Sequence, residues 1–475
     1  MGILDIMGIV AVFAIILFIG WKATSKTDTA EEFLMANRSL SKWQVGLSMA
    51  ASDFGGNGVV GGVAFAYGCG LAGGWFNWGA VLPLLVLAFL IAKQLRGINI
   101  SSIPELLGKR YCSSVRLIST ISQLLATGAV LGIQFTVAAA SISSMSGLDY
   151  NLAIIISVIV VVAYTMGGGL NAVVNTDMFQ FFVVTGSIIL AIPLCLRAGG
   201  GWGTISASLP ADYLNIGAQG MLVPISLGLL YMFDYATSQH ILQRVFSAKD
   251  AGTATFAFSF TGIIYIFYGL AIAFLGTLAF VLLPNIADTN LAYSTLIKNY
   301  LPVGIRGLSL GGIFAASMAC ADSKILAATT LFVNDIYKPY IKKNEKVEDK
   351  KVLHLSRIVT VVVSLLGVGI ALFSGSLVQM LYIGGLAYGT SVFIPMLAAI
   401  YWKRGTATAA LVSMIAAMGV GLYWEFFVSG KAAGALGAIP SNIVAVGVSL
   451  VLFVVVSMLT PKPTREQLSV LEDTI

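Results

Sequence analysis

Four ionisable side chains, Asp53, Asp234, Asp322 and Lys324, lie deep inside long apolar stretches of this 475-residue chain. A charge held away from water is costly, so such groups mark solute sites, ion pathways or proton relays. The plainer account is architectural, the acids and the lysine neutralising one another. Four groups in stretches otherwise nearly free of charge exceed what that account requires. Asp177 stands at the mouth of another such stretch, and Glu425 lies near an outer end, within reach of headgroups. Enzyme chemistry has little to work with. The apolar stretches hold no nucleophile–base pair, and the two histidines (His240, His354) and four cysteines (Cys69, Cys112, Cys195, Cys320) show no metal or disulfide spacing. The chain is read as a non-enzyme without cofactor or resident metal.

The surroundings of each charge narrow the chemistry. Asp53 lies in SMAASDFGGNGVVGG (48–62). Each helical glycine costs about 1 kcal/mol against alanine, so five of them around an acid make a poor continuous helix. They either allow close helix packing or interrupt the helix mid-membrane and free carbonyls for a cation or substrate; the consecutive glycines favour interruption. Asp234 stands between Tyr231 and Tyr235, an arrangement suited to an ammonium group through ion pairing and cation–π attraction. A protonated Asp234 donating to a carbonyl is the bland alternative. Asp322 and Lys324 are two apart and point to different faces of a helix, so they do not pair. Lys324 must find its counter-charge on another helix, with Asp53 and Asp177 the candidates, or sit neutral with a depressed pKa. Asp53, Asp177 and Asp322 are candidate proton or ion relays.

Residues that are 58% hydrophobic and 10% charged, against roughly 25% charged in soluble proteins, place these groups in a multi-pass membrane protein. Crossing the hydrocarbon takes roughly 20 apolar residues. Such segments recur near 3–22, 43–66, 74–95, 115–145, 150–167, 175–197, 221–243, 253–284, 305–335, 356–374, 377–401, 406–428 and 437–459, about thirteen in all. The first lacks a basic leader and a cleavage site and is read as a retained helix. With the N-terminus outside, 22 of the 27 basic residues fall in cytoplasmic loops and four outside, Lys324 being the remaining one. That asymmetry predicts N-out, C-in. The net charge of +6 is accounted for by topology, so no nucleic-acid partner is expected. KKNEKVEDKK (342–351) is a solvated loop, and Gly199–Gly201 is a turn rather than a dinucleotide loop.

These landmarks resemble the sodium:solute symporter family over nearly the whole chain. MGGGLNAVVNTDMFQ (166–180) is similar to the family's most specific signature. ISSIPELLGKRY (100–111), SQHILQR (238–244), NDIYK (334–338) and YWKRGT (401–406) fit in the same order. The resemblance implies an all-α, LeuT-type transporter domain spanning 1–475. Spans two to six (43–200) and seven to eleven (221–401) would be two inverted repeats. Residues 1–42 would add a first helix and loop, and 402–475 two C-terminal helices and a short tail. One bundle would rock against the other around a mid-membrane site.

The resemblance also implies positions. The family's sodium site uses carbonyls that fall on Ala51, Phe54 and Ala316, and two adjacent hydroxyls whose places are taken by Ala319 and Cys320. A methyl and a thiol offer sodium no hard oxygen, while Lys324 stands one turn further on. The expectation is that Lys324 replaces the coupling ion and that transport is sodium-independent: proton-coupled if the lysine releases its proton, otherwise uniport or exchange. Sodium held by Asp53 or Asp322 in a rearranged site is the alternative, as in an ordinary sodium-coupled symporter of an amino acid or other small nutrient. Substrate positions fall on Asn57, Asn77, Trp78, Tyr231, Asp234, Tyr235 and Tyr382, with Gly384 nearby. The acid among aromatics points to an amine-bearing or cationic solute. A cell-membrane carrier with a small-molecule substrate and no obligatory protein partner is expected. A solute sensor is a remote alternative, since only about fifteen residues (461–475) follow the last span, and a channel fits the interrupted, charged helices less well.

Overall fold

The structure is a computed structural model that describes residues 2–24, 27–343, 345, 347–373, 384–431, 437 and 439–472. Its regular elements are helices. Those that frame the interior are α1 (Ile3–Thr24), α2 (Lys42–Gly56), α3 (Gly62–Cys69), α4 (Val81–Leu90), α5 (Ser113–Ser146) and α6 (Tyr150–Ala198). They continue with α7 (Leu222–Thr237), α8 (Gln239–Ser247), α9 (Ala251–Leu282), α10 (Ile305–Leu331) and α11 (Asp349–Phe373). α12 (Thr390–Tyr401), α13 (Ala407–Phe427) and α14 (Ser441–Leu459) complete them. Among the described residues, nine segments are long and apolar enough to cross a membrane, and two shorter apolar helices accompany them.

The apolar residues face both ways, as a lipid solvent demands. Phe18, Trp21, Phe89, Leu366 and Leu459 are exposed, while Ile16, Leu84, Ile272 and Leu326 are buried. With no water in the hydrocarbon, each backbone polar group must bond within its own helix. The most apolar window of the segment Ile305–Ile341 is 100% buried, against 22% for α1, so α10 is the central post of the bundle.

Breaks in the helices carry the function. Gly55 has φ +47°, a left-handed value open to glycine at little cost. A wide turn at Asn57–Gly61 then joins α2 to α3, so the predicted interruption beside Asp53 is present. α7 stops at Thr237, where Ser238 turns extended, and α8 resumes at Gln239. The single span read over 221–243 is thus two helices with a joint at Ser238. Conversely, the gap read between 167 and 175 is closed. α6 runs through it and bends at Gly169, with φ +53°. Forty-nine residues at about 1.5 Å each would reach about 74 Å, more than twice the hydrocarbon thickness, so the chain has to turn there. A Cβ at Gly169 would lie 2.3 Å from the carbonyl oxygen of Phe33.

Candidate functional site

The broken ends of α2 and α7 meet α5, α8 and α10 around a central cavity of about 110 Å³. Asp53 and Asn57 enter from the α2 break, Tyr231, Asp234 and Tyr235 from α7, His240 from α8, and Cys320 and Lys324 from α10. Phe76 and Asn77 come from the short helix Trp75–Trp78. Six of the seven substrate positions carried over from the resemblance are described, and five of them line this cavity.

Local bonds hold the lining in place. The Tyr231 hydroxyl donates to the Phe76 carbonyl at 2.7 Å, and Asn77 Nδ2 donates to the Gly58 carbonyl at 3.3 Å. The rings of Tyr231 and Tyr235 stack with centroids 5.5 Å apart. The Ser238 hydroxyl donates to the Asp234 carboxylate at the joint of α7 and α8. The phenols of Tyr235 and Tyr265 stand beside Asp53, whose Oδ2 is buried without a donor.

Two of the expected substrate positions are not among the lining residues, for different reasons. Trp78 does not line the cavity: its indole fills the slot left by Gly269, and its Nε1 donates to the Ile266 carbonyl at 3.0 Å. Tyr382 falls outside the described residues, although Gly384 beside it does line the cavity. The positions carried over for sodium also separate. Ala51, Phe54, Ala316 and Ala319 surround a second, small cavity of about 10 Å³, at the lower limit for one water molecule. Cys320 faces the central cavity instead, as does Lys324.

Lys324 directs its Nζ to Nδ1 of His240 at 3.1 Å. With Lys324 as an ammonium, which only donates, Nδ1 accepts and the imidazole is the neutral tautomer with hydrogen on Nε2. The small cavity is lined by the methyls of Ala50, Ala51, Ala316 and Ala319 and also by Gln180, whose amide is buried without a partner. Asp177 is not the lysine's partner, because Arg244 Nη2 already holds it at 2.7 Å. Arg244, read as a cytoplasmic loop residue, is fully buried, as is Arg110. Asp177, read as lying at a helix mouth, is likewise fully buried. Asp322 is bonded by the Tyr164 hydroxyl on a different face from Lys324.

Sequence reasoning missed His240, Gln123 and Gln134. For the glutamines a signal existed. Gln123, Thr127, Val130 and Gln134 all line the cavity, and their spacing of 4, 3 and 4 is one face of an α-helix. Gln123 Nε2 donates to the Thr237 carbonyl at 3.1 Å, which orients the amide and leaves its Oε1 without a donor.

With the geometry in view, the comparisons with known proteins converge. The model of the sodium:solute symporter family matches residues 33–417. The sodium/pantothenate symporter of Haemophilus influenzae is 28% identical over 426 residues, covering 86% of this chain and 87% of that protein. The osmoregulated proline transporter OpuE of Bacillus subtilis is 25% identical over 474 residues, covering 95% and 94%. A solved structure of a Na+-coupled sialic acid symporter, substrate-bound and outward-open, aligns with a TM-score of 0.88 at 18% identity. It covers 98% of this chain and 99% of that one. The fold is the LeuT type, and the relatives are named for transport rather than catalysis.

Proposed function

The chain belongs to the sodium:solute symporter family of multi-pass membrane proteins, which are secondary transporters of small solutes, and from that premise we propose that this member carries an amine-bearing or cationic solute without a coupling sodium ion. Lys324 supplies the positive charge that the ion would bring.

One observation carries the substrate reading: the cavity holds acceptors without donors. Asp53 Oδ2, Gln123 Oε1 and Gln134 Oε1 are buried and unpartnered, and the Asp234 carboxylate lines the same space beside the stacked Tyr231 and Tyr235. An ammonium brings three donors and no acceptor. Sodium independence is supported by the methyl of Ala319 and the thiol of Cys320, which stand where the family's sodium site has hydroxyls, since sodium prefers hard oxygen ligands.

The named relatives include a sodium/pantothenate symporter, so ordinary sodium coupling is the competing reading. Solute uptake into proteoliposomes with sodium replaced by potassium separates the two. Equal uptake is expected, and strict dependence on a sodium gradient would contradict the proposal.

A further inference from the structure

Away from the central cavity, at one end of the bundle, two connecting segments are stitched together by their backbones. The N–H of Leu40 donates to the Ser247 carbonyl at 3.1 Å, and the N–H of Lys249 donates to the Leu40 carbonyl at 3.0 Å. This short bridge sets the segment before α2 beside the turn from α8 into α9. Arg96, in the short helix Ala92–Gly97, ties a third piece to it. Its Nε donates to the Ala248 carbonyl at 2.5 Å and its Nη2 to the Lys249 carbonyl at 3.4 Å.

These bonds hold like charges together. Arg38 ends a run of three left-handed residues, Ala36, Asn37 and Arg38, with φ +48°, +50° and +53°. Residues with a Cβ seldom take such values, and they persist where the surrounding structure fixes them. Burial first, and then the charge of Arg38, lower the pKa of Arg96, while Asp250 opposes them. The two guanidiniums are therefore close enough to repel. Lys93 lies three residues before Arg96 on the same helix face, and Lys249 is exposed beside the bridge.

The acids of the same segments are already engaged. Glu31 accepts from Arg38 Nε at 3.3 Å. Glu32 accepts from the backbone N–H groups of Asp28 and Thr29 and from Asn37. Asp250 accepts from the Thr253 N–H at 2.7 Å and lies 3.8 Å from Lys249. Among the described residues, Lys42, Lys93 and Arg96 have no carboxylate within ion-pair distance, and Nη1 of Arg96 donates to none of them.

Exposed apolar side chains border this basic basin. Trp43, at the start of α2, is 50% exposed, and Phe89 and Leu90, the last residues of α4, are exposed just before Lys93. Lys42 Nζ stands 5.9 Å from the ring centroid of Trp43 and 5.8 Å from that of Phe256. Tryptophan favours the boundary between hydrocarbon and water. The cations thus lie at headgroup depth, and the rings lie where acyl chains begin. A soluble anion would use the charges alone, whereas a phospholipid uses both.

We propose that this basin binds an anionic phospholipid, with the phosphate between Arg38 and Arg96 and the acyl chains along Trp43. With the N-terminus outside, the basin faces the cytoplasmic leaflet, whose surface is negatively charged. The inference is independent of which solute or ion the central cavity takes.

Thermal unfolding of the purified full-length protein in a neutral detergent tests it. Added phosphatidylglycerol should raise the melting temperature along a saturable curve, while phosphatidylcholine and inorganic phosphate should not. Each basic group near an anionic surface contributes about fivefold in affinity. Arg38→Gln combined with Arg96→Gln should therefore weaken the apparent affinity for phosphatidylglycerol at least about tenfold. Lys42→Gln, Lys93→Gln and Lys249→Gln together should weaken it by at least as much, and this variant remains informative if the arginine variant does not fold. Lys350→Gln with Lys351→Gln, at the exposed start of α11, should leave the curve unchanged. Equal stabilisation by phosphatidylcholine or by phosphate alone would overturn the proposal. So would a wild-type response in either basin variant that folds, or an equal loss in the Lys350, Lys351 variant.

Discussion

Nζ of Lys324 and Nδ1 of His240 meet at 3.1 Å where α10 passes the joint between α7 and α8. The contact ties the buried lysine of α10 to α8, which follows α7 and its Asp234 across the joint at Ser238. A shift of α8 therefore moves the positive charge relative to the solute carboxylate.

If the lysine stands in for an ion, removing it and restoring oxygen ligands should restore the ion. The variant Ala319→Ser, Cys320→Ser, Lys324→Ala places a hydroxyl beside the small cavity that Ala51, Phe54 and Ala316 line. Sodium chloride should raise its melting temperature above that in potassium chloride, while the wild type shows no difference. A sodium-responsive wild type is the adverse result.

Asp234 faces the cavity with its carboxylate steadied by Ser238. A hydrogen bond to a charged group contributes about 1.5–3 kcal/mol. Asp234→Asn should therefore weaken binding of a cationic solute by about 10- to 150-fold, read by isothermal calorimetry. Unchanged affinity would point to a neutral or anionic solute.

The pair Arg244–Asp177 is fully buried, and stranding one partner of such a pair costs about 3–5 kcal/mol. Arg244→Met and Asp177→Leu should each lower the melting temperature sharply, and the double variant should lose less than the two single losses added. Simple additivity in that cycle would mean the two side chains are not coupled.

Outside the apolar spans, Glu105 bonds Lys109 at 2.8 Å and the Ser101 hydroxyl at 2.7 Å. Burial alone would push its carboxyl up, but the Lys109 ammonium and the Ser101 donors outweigh burial and hold it below its ordinary 4.5. A group held low in the folded state stabilises above its ordinary value, and the stabilisation fades as pH falls toward the lowered one. The gap in melting temperature between wild type and Glu105→Gln should be widest at neutral pH and close on acidification. A gap independent of pH would assign the loss to packing.

The charged residues inside the spans were legible because apolar surroundings make each one conspicuous, and the break at Gly55 was legible from consecutive glycines. The joint at Ser238 was not. A serine between two helical stretches looks the same in sequence whether the chain bends there or continues, and tertiary packing decides. Arg244 was misplaced for a related reason: positive charge near the end of a span reads as loop, and its burial depends on Asp177 arriving from a helix 67 residues away. Trp78 was misassigned because the slot that receives it is made by Gly269, far along the chain.

The central claim is that this carrier binds an amine with its own lysine in place of sodium. Thermal unfolding of the purified protein, with amines, amino acids and sugars each tested in sodium and in potassium chloride, addresses both halves. A ligand at 100 times its Kd should stabilise the folded state by about 2.7 kcal/mol. An amine should raise the melting temperature by the same amount in either salt. Stabilisation by a neutral sugar or an anion, or by any solute only when sodium is present, would contradict it.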